Sequence, residues 1–124
     1  MAFITLAKSS GKNLTQRAPA ISVNKTGIGF LAELSIILHE RKVVCAELLY
    51  DEENRKLGLV FYTDKETAPR SAYIIFGRGA GVGMGIACRY HVAHLKMRQG
   101  TIYDVVWDDK IGGYVTTTAI EIDE

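Results

Sequence analysis

Three groups of residues have the types and spacing to do chemistry. The tract Gly77-Arg78-Gly79-Ala80-Gly81-Val82-Gly83-Met84-Gly85 sets a glycine at every second position around a single arginine. A dinucleotide-binding loop needs glycines at i, i+2 and i+5, and the third falls on Val82, Met84, Ile86 or Cys88 in every frame. No Gly-Lys-Ser/Thr follows, so a phosphate-cradling loop is excluded too. Alternating glycine in a strand instead leaves one face without side chains, so that a second backbone or a flat base can come close. The competing reading is a strained or mobile strand that crosses between two parts of the chain.

The second group is Cys88-x-x-His91-x-x-His94. On a helix these side chains spread over about 120° and do not converge. Zinc would also need a fourth ligand, and only His39 and Cys45 are spare, with nothing to bring them near. The expectation is no metal site. A Cys–His hydrolase lacks an activating context for either cysteine, so a non-catalytic protein without a cofactor is expected.

The third group is rings among cations. Tyr73 and Phe76 precede the glycine tract, in a segment, residues 67–103, with Arg70, Arg78, Arg89, Lys96 and Arg98 and no acid. Cations that track phosphates beside rings that take unstacked bases are what single-stranded nucleic acid binding requires. Whichever of Tyr73 and Phe76 faces outward is the stacking candidate. Tyr90 lies on an apolar stripe and reads as core. Tyr50, Phe61, Tyr62, Trp107 and Tyr114 read as cross-strand packing.

The formal net charge of +1 conceals this segregation. Residues 1–32 hold Lys8, Lys12, Arg17 and Lys25 without an acid, whereas residues 104–124 hold six acids against Lys110. A bipolar surface that binds a polyanion fits this pattern, and so does pairing of acidic and basic segments within the fold or between subunits. The 124 residues, 48% hydrophobic and 23% charged, suit one domain over 1–124. No apolar run is long enough for a membrane span, Met1–Ala7 lacks a basic leader, and two cysteines make no disulfide framework. A reducing, cytoplasmic setting is expected.

The elements that must position these groups are strands with two short helices. Residues 2–7 and 21–24 read as strands, and Leu31, Leu34 and Leu38 predict a helix over about 31–40. Val43–Tyr50 and Leu57–Tyr62 flank an acidic tip and predict a hairpin. Residues 71–76 read as a strand, and Ile86, Tyr90, Ala93 and Met97 predict a helix over about 86–98, with Gly100 as its stop. Thr101–Trp107 and Tyr114–Ile122 predict a second hairpin. Gly27-Ile28-Gly29-Phe30, Leu48-Leu49-Tyr50-Asp51 and Leu57-Gly58-Leu59-Val60 have counterparts in Gly83-Met84-Gly85-Ile86, Val105-Val106-Trp107-Asp108 and Gly113-Tyr114-Val115, at offsets of 56, 57 and about 55 residues. An internal repeat over about 21–62 and 73–120 accounts for this. The fold expected is α+β: a curved antiparallel sheet with two helices, built from two related strand–helix–hairpin halves. With apolar residues on both faces of Val43–Tyr50 and few helices to cover them, a homodimer or higher homo-oligomer is expected.

Ile21–Phe30, the short helix, and Leu48–Leu59 together resemble prokaryotic and phage relatives of transcriptional positive cofactor four, grouped with the Whirly proteins as single-stranded-DNA-binding transcriptional regulators. The resemblance covers about 21–62 and extends to 73–120 through the repeat. It implies curved antiparallel sheets packed by helices, often duplicated, and a cation at Lys25. The same order of elements is similar to AbrB-type swapped-hairpin regulators, which bind duplex DNA as dimers. Those carry Pro and Arg at the helix start, where this chain has Leu31-Ala32-Glu33. The function expected is non-catalytic binding of single-stranded DNA or RNA in transcription, replication or recombination, through Lys8, Lys12, Lys25, Tyr73, Phe76, Arg78 and Arg89. Duplex binding of AbrB type and self-assembly without nucleic-acid affinity are the alternatives.

Overall fold

The structure, a computed structural model, describes residues 18–31, 33–77 and 83–123. Among the described residues eight strands and two helices follow one another: β1 (Ala20–Val23), β2 (Ile28–Leu31), α1 (Glu33–Glu40), β3 (Cys45–Asp51), β4 (Lys56–Tyr62), β5 (Tyr73–Ile74), β6 (Gly85–Ile86), α2 (Arg89–His94), β7 (Thr101–Asp108) and β8 (Gly113–Thr116). The expected strand over residues 2–7 lies outside the described residues. All pairings are antiparallel, in the order β5-β3-β4-β8-β7-β1-β2-β6. Past the end of β5, Phe76 and Gly85 exchange two backbone hydrogen bonds of 2.9 and 3.0 Å, so the first and last strands of that order meet. The curved sheet expected from sequence is therefore bent into a nearly closed barrel, which leaves almost no free edge.

Alternation decides which residues fill it. On β7, Tyr103 and Val105 are buried while Ile102, Asp104 and Val106 are exposed, the period of two that a strand with one face inward must have. Ile21 and Val23 on β1, Ile28 and Phe30 on β2, Leu57 and Leu59 on β4 and Ile86 on β6 point the same way and form one core. Helix α1 adds Leu34 and Leu38 to it, and α2 adds Val92. Each such side chain, fully buried, contributes about 1.5–3 kcal/mol. Phe61 meets Phe30 edge-on at 5.5 Å and Tyr114 at 6.1 Å, which ties the two hairpins to β2.

The second predicted helix is corrected. Ile86 does not begin it but pairs with Ile28 in β6, and α2 runs only from Arg89 to His94. The shorter helix takes its phase from Val92, which is 1% exposed, so Tyr90 turns outward and is 70% exposed rather than core. The second hairpin also ends earlier than expected, at Thr116.

The strand order has a regularity of its own. Exchanging β1, β2, β3 and β4 with β5, β6, β7 and β8 carries every pairing onto another pairing, the Phe76–Gly85 bridge included. The helix ends behave alike. The bonds Arg41 N–H to Ile37 O, Lys42 N–H to His39 O and Val43 N–H to Leu38 O recur 54 positions on as Leu95 to His91, Lys96 to Ala93 and Met97 to Val92. Lys42 and Lys96 take the left-handed conformation there, at φ 56° and 54°, which stops both helices. Closure covers the inner face of the sheet within one chain. The large apolar side chains left outside include Ile102, Val106 and Trp107.

Candidate nucleic-acid interface

One row of residues crosses four strands on the outside of the barrel. Phe76 opposes Gly85, Gly85 opposes Gly29, Gly29 opposes Ser22, and Ser22 opposes Ile102 on β7. Directly opposed residues of antiparallel strands share a face, so these five lie side by side. The ring of Phe76, half exposed, leans over Gly85, where a Cβ would come within 3.1 Å of its Cζ and 2.5 Å of the Ile28 carbonyl oxygen. Beyond the ring, the Ser22 hydroxyl and the Asn24 amide lie over Gly29, where a Cβ would come within 2.7 Å of Ser22 Oγ and 3.5 Å of Asn24 Nδ2. A groove of about 450 Å³ results, with Phe76 and Met84 on one side and Ser22, Asn24 and Thr26 on the other. Among the described residues no charged side chain lines it.

The turn at its end carries the cation. Asn24-Lys25-Thr26-Gly27 joins β1 to β2, held by Asn24 N–H to Gly27 O at 2.8 Å and Gly27 N–H to Asn24 O at 3.3 Å. Lys25 is exposed and makes no ion pair among the described residues. A free ammonium beside an uncharged groove with an exposed ring can hold a phosphate while a base lies against the ring.

Of the residues named from sequence, Lys25 and Phe76 come together here. Tyr73 does not join them as a platform: it is half-buried and meets His91 edge-on at 6.1 Å. Burial, then the neighbouring Cys88, pushes its phenol above the ordinary value. The choice between Tyr73 and Phe76 thus falls to Phe76. Arg89 is exposed at the first position of α2, one residue before Tyr90, whose ring stacks on His94 at 5.4 Å and 9°. Lys8, Lys12 and Arg78 lie outside the described residues. Arg98 is engaged: it bonds Asp123 at 2.9 Å and sits 3.5 Å from Glu121, so acidic and basic segments do pair within the fold at this point.

Cys88, His91 and His94 are not gathered. Cys88 is buried, and burial pushes its thiol up to about 11, while His94 is exposed against Tyr90. No group of three potential metal-ligating side chains converges among the described residues. Among these residues, too, no helix is long and apolar enough to cross a membrane.

Sequence reasoning missed Ser22, Asn24 and Thr26 as groove residues. Their signal was the matching Gly-x-Gly of residues 27–29 and 83–85, legible as a repeat but not as two halves of one floor. No protein-family model, curated protein or solved structure matches this chain.

Proposed function

We propose that this protein is a non-catalytic binder of single-stranded nucleic acid, acting in transcription, replication or recombination, with the outer groove beside Phe76 as its site. The observation that carries the reading is the exposed Phe76 ring beside the paired glycines Gly29 and Gly85, with Lys25, unpaired among the described residues, at the end of the groove. Bases within a duplex are already stacked on one another, so an exposed ring suits an unpaired strand. Arg89, and Arg78 in the segment joining β5 to β6, are the further cations assigned to the phosphates.

The two parts of the chain are further read as related halves, a reading supported by the exchange of pairings and the repeated helix ends. A second reading has its own support. The β3–β4 hairpin pairs with β5 and β8 rather than with β1 and β2, an interleaving of hairpins of the kind the AbrB-type resemblance implies. Under that reading the ligand is duplex DNA. A homodimer is proposed as well, formed over Val106 and Trp107, which stay exposed; light scattering at micromolar concentration tests it, and a monomer refutes it.

Anisotropy titration with single- and double-stranded oligonucleotides of one sequence, over a range of salt, separates these readings. Single-strand binding should weaken with salt at a slope of about 0.7 per phosphate contact. Preference for duplex would transfer the function to the second reading, and binding of neither at any salt would remove both.

A further inference from the structure

Building on the single-strand reading, the groove has the chemistry to choose among bases as well as to hold them. Its side-chain polar groups among the described residues are a carboxamide and two hydroxyls, those of Asn24, Ser22 and Thr26, and none of these residues is charged. Phosphate would want a cation in the groove, and Lys25 stands on the exposed turn without lining it. The groove itself therefore suits the neutral part of a nucleotide.

Asn24 is the group that can read. The bond its side chain makes among the described residues is long, Nδ2 donating to Ser22 Oγ at 3.4 Å. A carboxamide has two donor hydrogens and an acceptor oxygen, so one N–H and Oδ1 remain to be satisfied by water or by a ligand. That donor and acceptor, side by side, match the N7 acceptor and N6 donor of adenine in a bidentate pair. A purine also covers more of the Phe76 ring than a pyrimidine does, and stacking grows with the area covered.

We propose that Asn24, held with Ser22 over Gly29 beside the Phe76 ring that covers Gly85, makes this groove a slot selective for adenine in a single strand. Phe76 supplies affinity for any base, Lys25 holds the adjacent phosphate, and Asn24 supplies the discrimination.

The test is anisotropy titration of the full chain with labelled oligo-dA, oligo-dT and oligo-dC of one length at one salt concentration. The parent should favour oligo-dA by about tenfold, within the range a bidentate pair gives. Asn24→Ala should bring that preference below about twofold, because oligo-dA binding weakens more than oligo-dT binding does, at an unaltered salt slope. Ser22→Ala, which removes only the hydroxyl that orients the amide, should lower the preference by about threefold. Equal binding of the three strands by the parent, or an undiminished preference in Asn24→Ala, overturns the adenine slot while leaving single-strand binding intact. A parent that binds no strand overturns both.

Discussion

The barrel has two seams where a strand of residues 20–62 lies against a strand of residues 73–116 of equivalent rank, and they have been finished differently. At one, β2 meets β6 through Gly29 and Gly85, between Phe76 and Ser22. At the other, β4 meets β8 through Gly58 and Val115, between Leu49 and Val106. Both carry a groove of similar size, about 450 and 490 Å³. The second is lined by Asp51, Lys56, Asp108 and Lys110, and Ile111 folds over Gly58, where a Cβ would stand 3.0 Å from its Cδ1. Among the described residues the first is lined by no charged side chain, and its glycines lie against the Phe76 ring and the Ser22 hydroxyl. The same strand geometry thus sets charged groups and an aliphatic hairpin tip at one seam, and an aromatic ring with uncharged polar groups at the other. What separates a candidate site from a structural joint is the side chain set over the glycine, not the glycine.

The largest expected effect breaks the comparison at the glycines themselves. Gly85→Ala sets a Cβ against the Ile28 carbonyl, a backbone atom that cannot swing aside, and the β2–β6 seam must part. A loss of about 3 kcal/mol is expected in urea melts, a large share of a stability on the order of 5–15 kcal/mol. Gly58→Ala crowds the far end of the Ile111 side chain at 3.0 Å and meets Leu49 Cβ and the Tyr114 carbonyl at ordinary contact distance, 3.4 and 3.8 Å, so its cost should stay within about 1 kcal/mol. Equal losses would mean that the two seams are not differently built.

Next come the rings. Phe76→Ala should weaken single-strand binding by about 1–3 kcal/mol, the worth of one stacked base, at a small cost in stability. Trp107→Ala removes another half-exposed ring, but one whose Nε1 donates to Asp109 at 2.7 Å in acidic surroundings. Its binding should match the parent's in the same titration.

Lys25→Ala should act more weakly and by another route. It should reduce the salt slope by about 0.7 while leaving the preference among bases as it was. Lys56→Ala, at the other seam, should leave the slope unchanged.

The smallest effect belongs to the β4–β8 seam. The Asp51 carboxylate accepts Asn54 Nδ2 at 2.8 Å and the Asn54 and Glu53 backbone N–H groups at 3.2 and 3.1 Å. The Asn54 side-chain bond, followed by the backbone bonds, lowers its pKa below the ordinary aspartate value. A carboxylate depressed in the folded state adds stability above its unfolded pKa, near 4, and that stability is lost as pH falls through the folded value. Asp51→Asn should therefore show a slightly flatter stability profile below about pH 4 than the parent, measured by thermal melts across pH, with no change in binding.

Local pattern carried much of this architecture. The hairpin β3–β4 is legible because alternation and an acidic tip lie within eighteen consecutive residues, 45–62, and the element order repeats at a near-constant offset. What sequence could not carry was pairing between distant strands. Ile86 fits a helical stripe with Tyr90 and Met97 until its partner Ile28 is known, and that partner makes it a strand residue and turns Tyr90 outward. Closure through Phe76 and Gly85 is equally non-local, and it converts an open sheet with two apolar faces into a barrel with one. The candidate site divides in the same way. Lys25 and Phe76 were marked by charge and ring, whereas Ser22, Asn24 and Gly29 acquire meaning only when β1 and β2 are laid beside β6.

Ultraviolet crosslinking of the full chain to an unmodified single-stranded oligonucleotide of mixed sequence, with adducts mapped by mass spectrometry, meets the central claim most directly. A base lying against the ring should give adducts on Phe76 and on the Asn24–Thr26 turn, and duplex of the same sequence should compete poorly. Adducts confined to Trp107 and the hairpin tips, or none at a concentration where the strand is bound, would contradict a site at the β2–β6 seam.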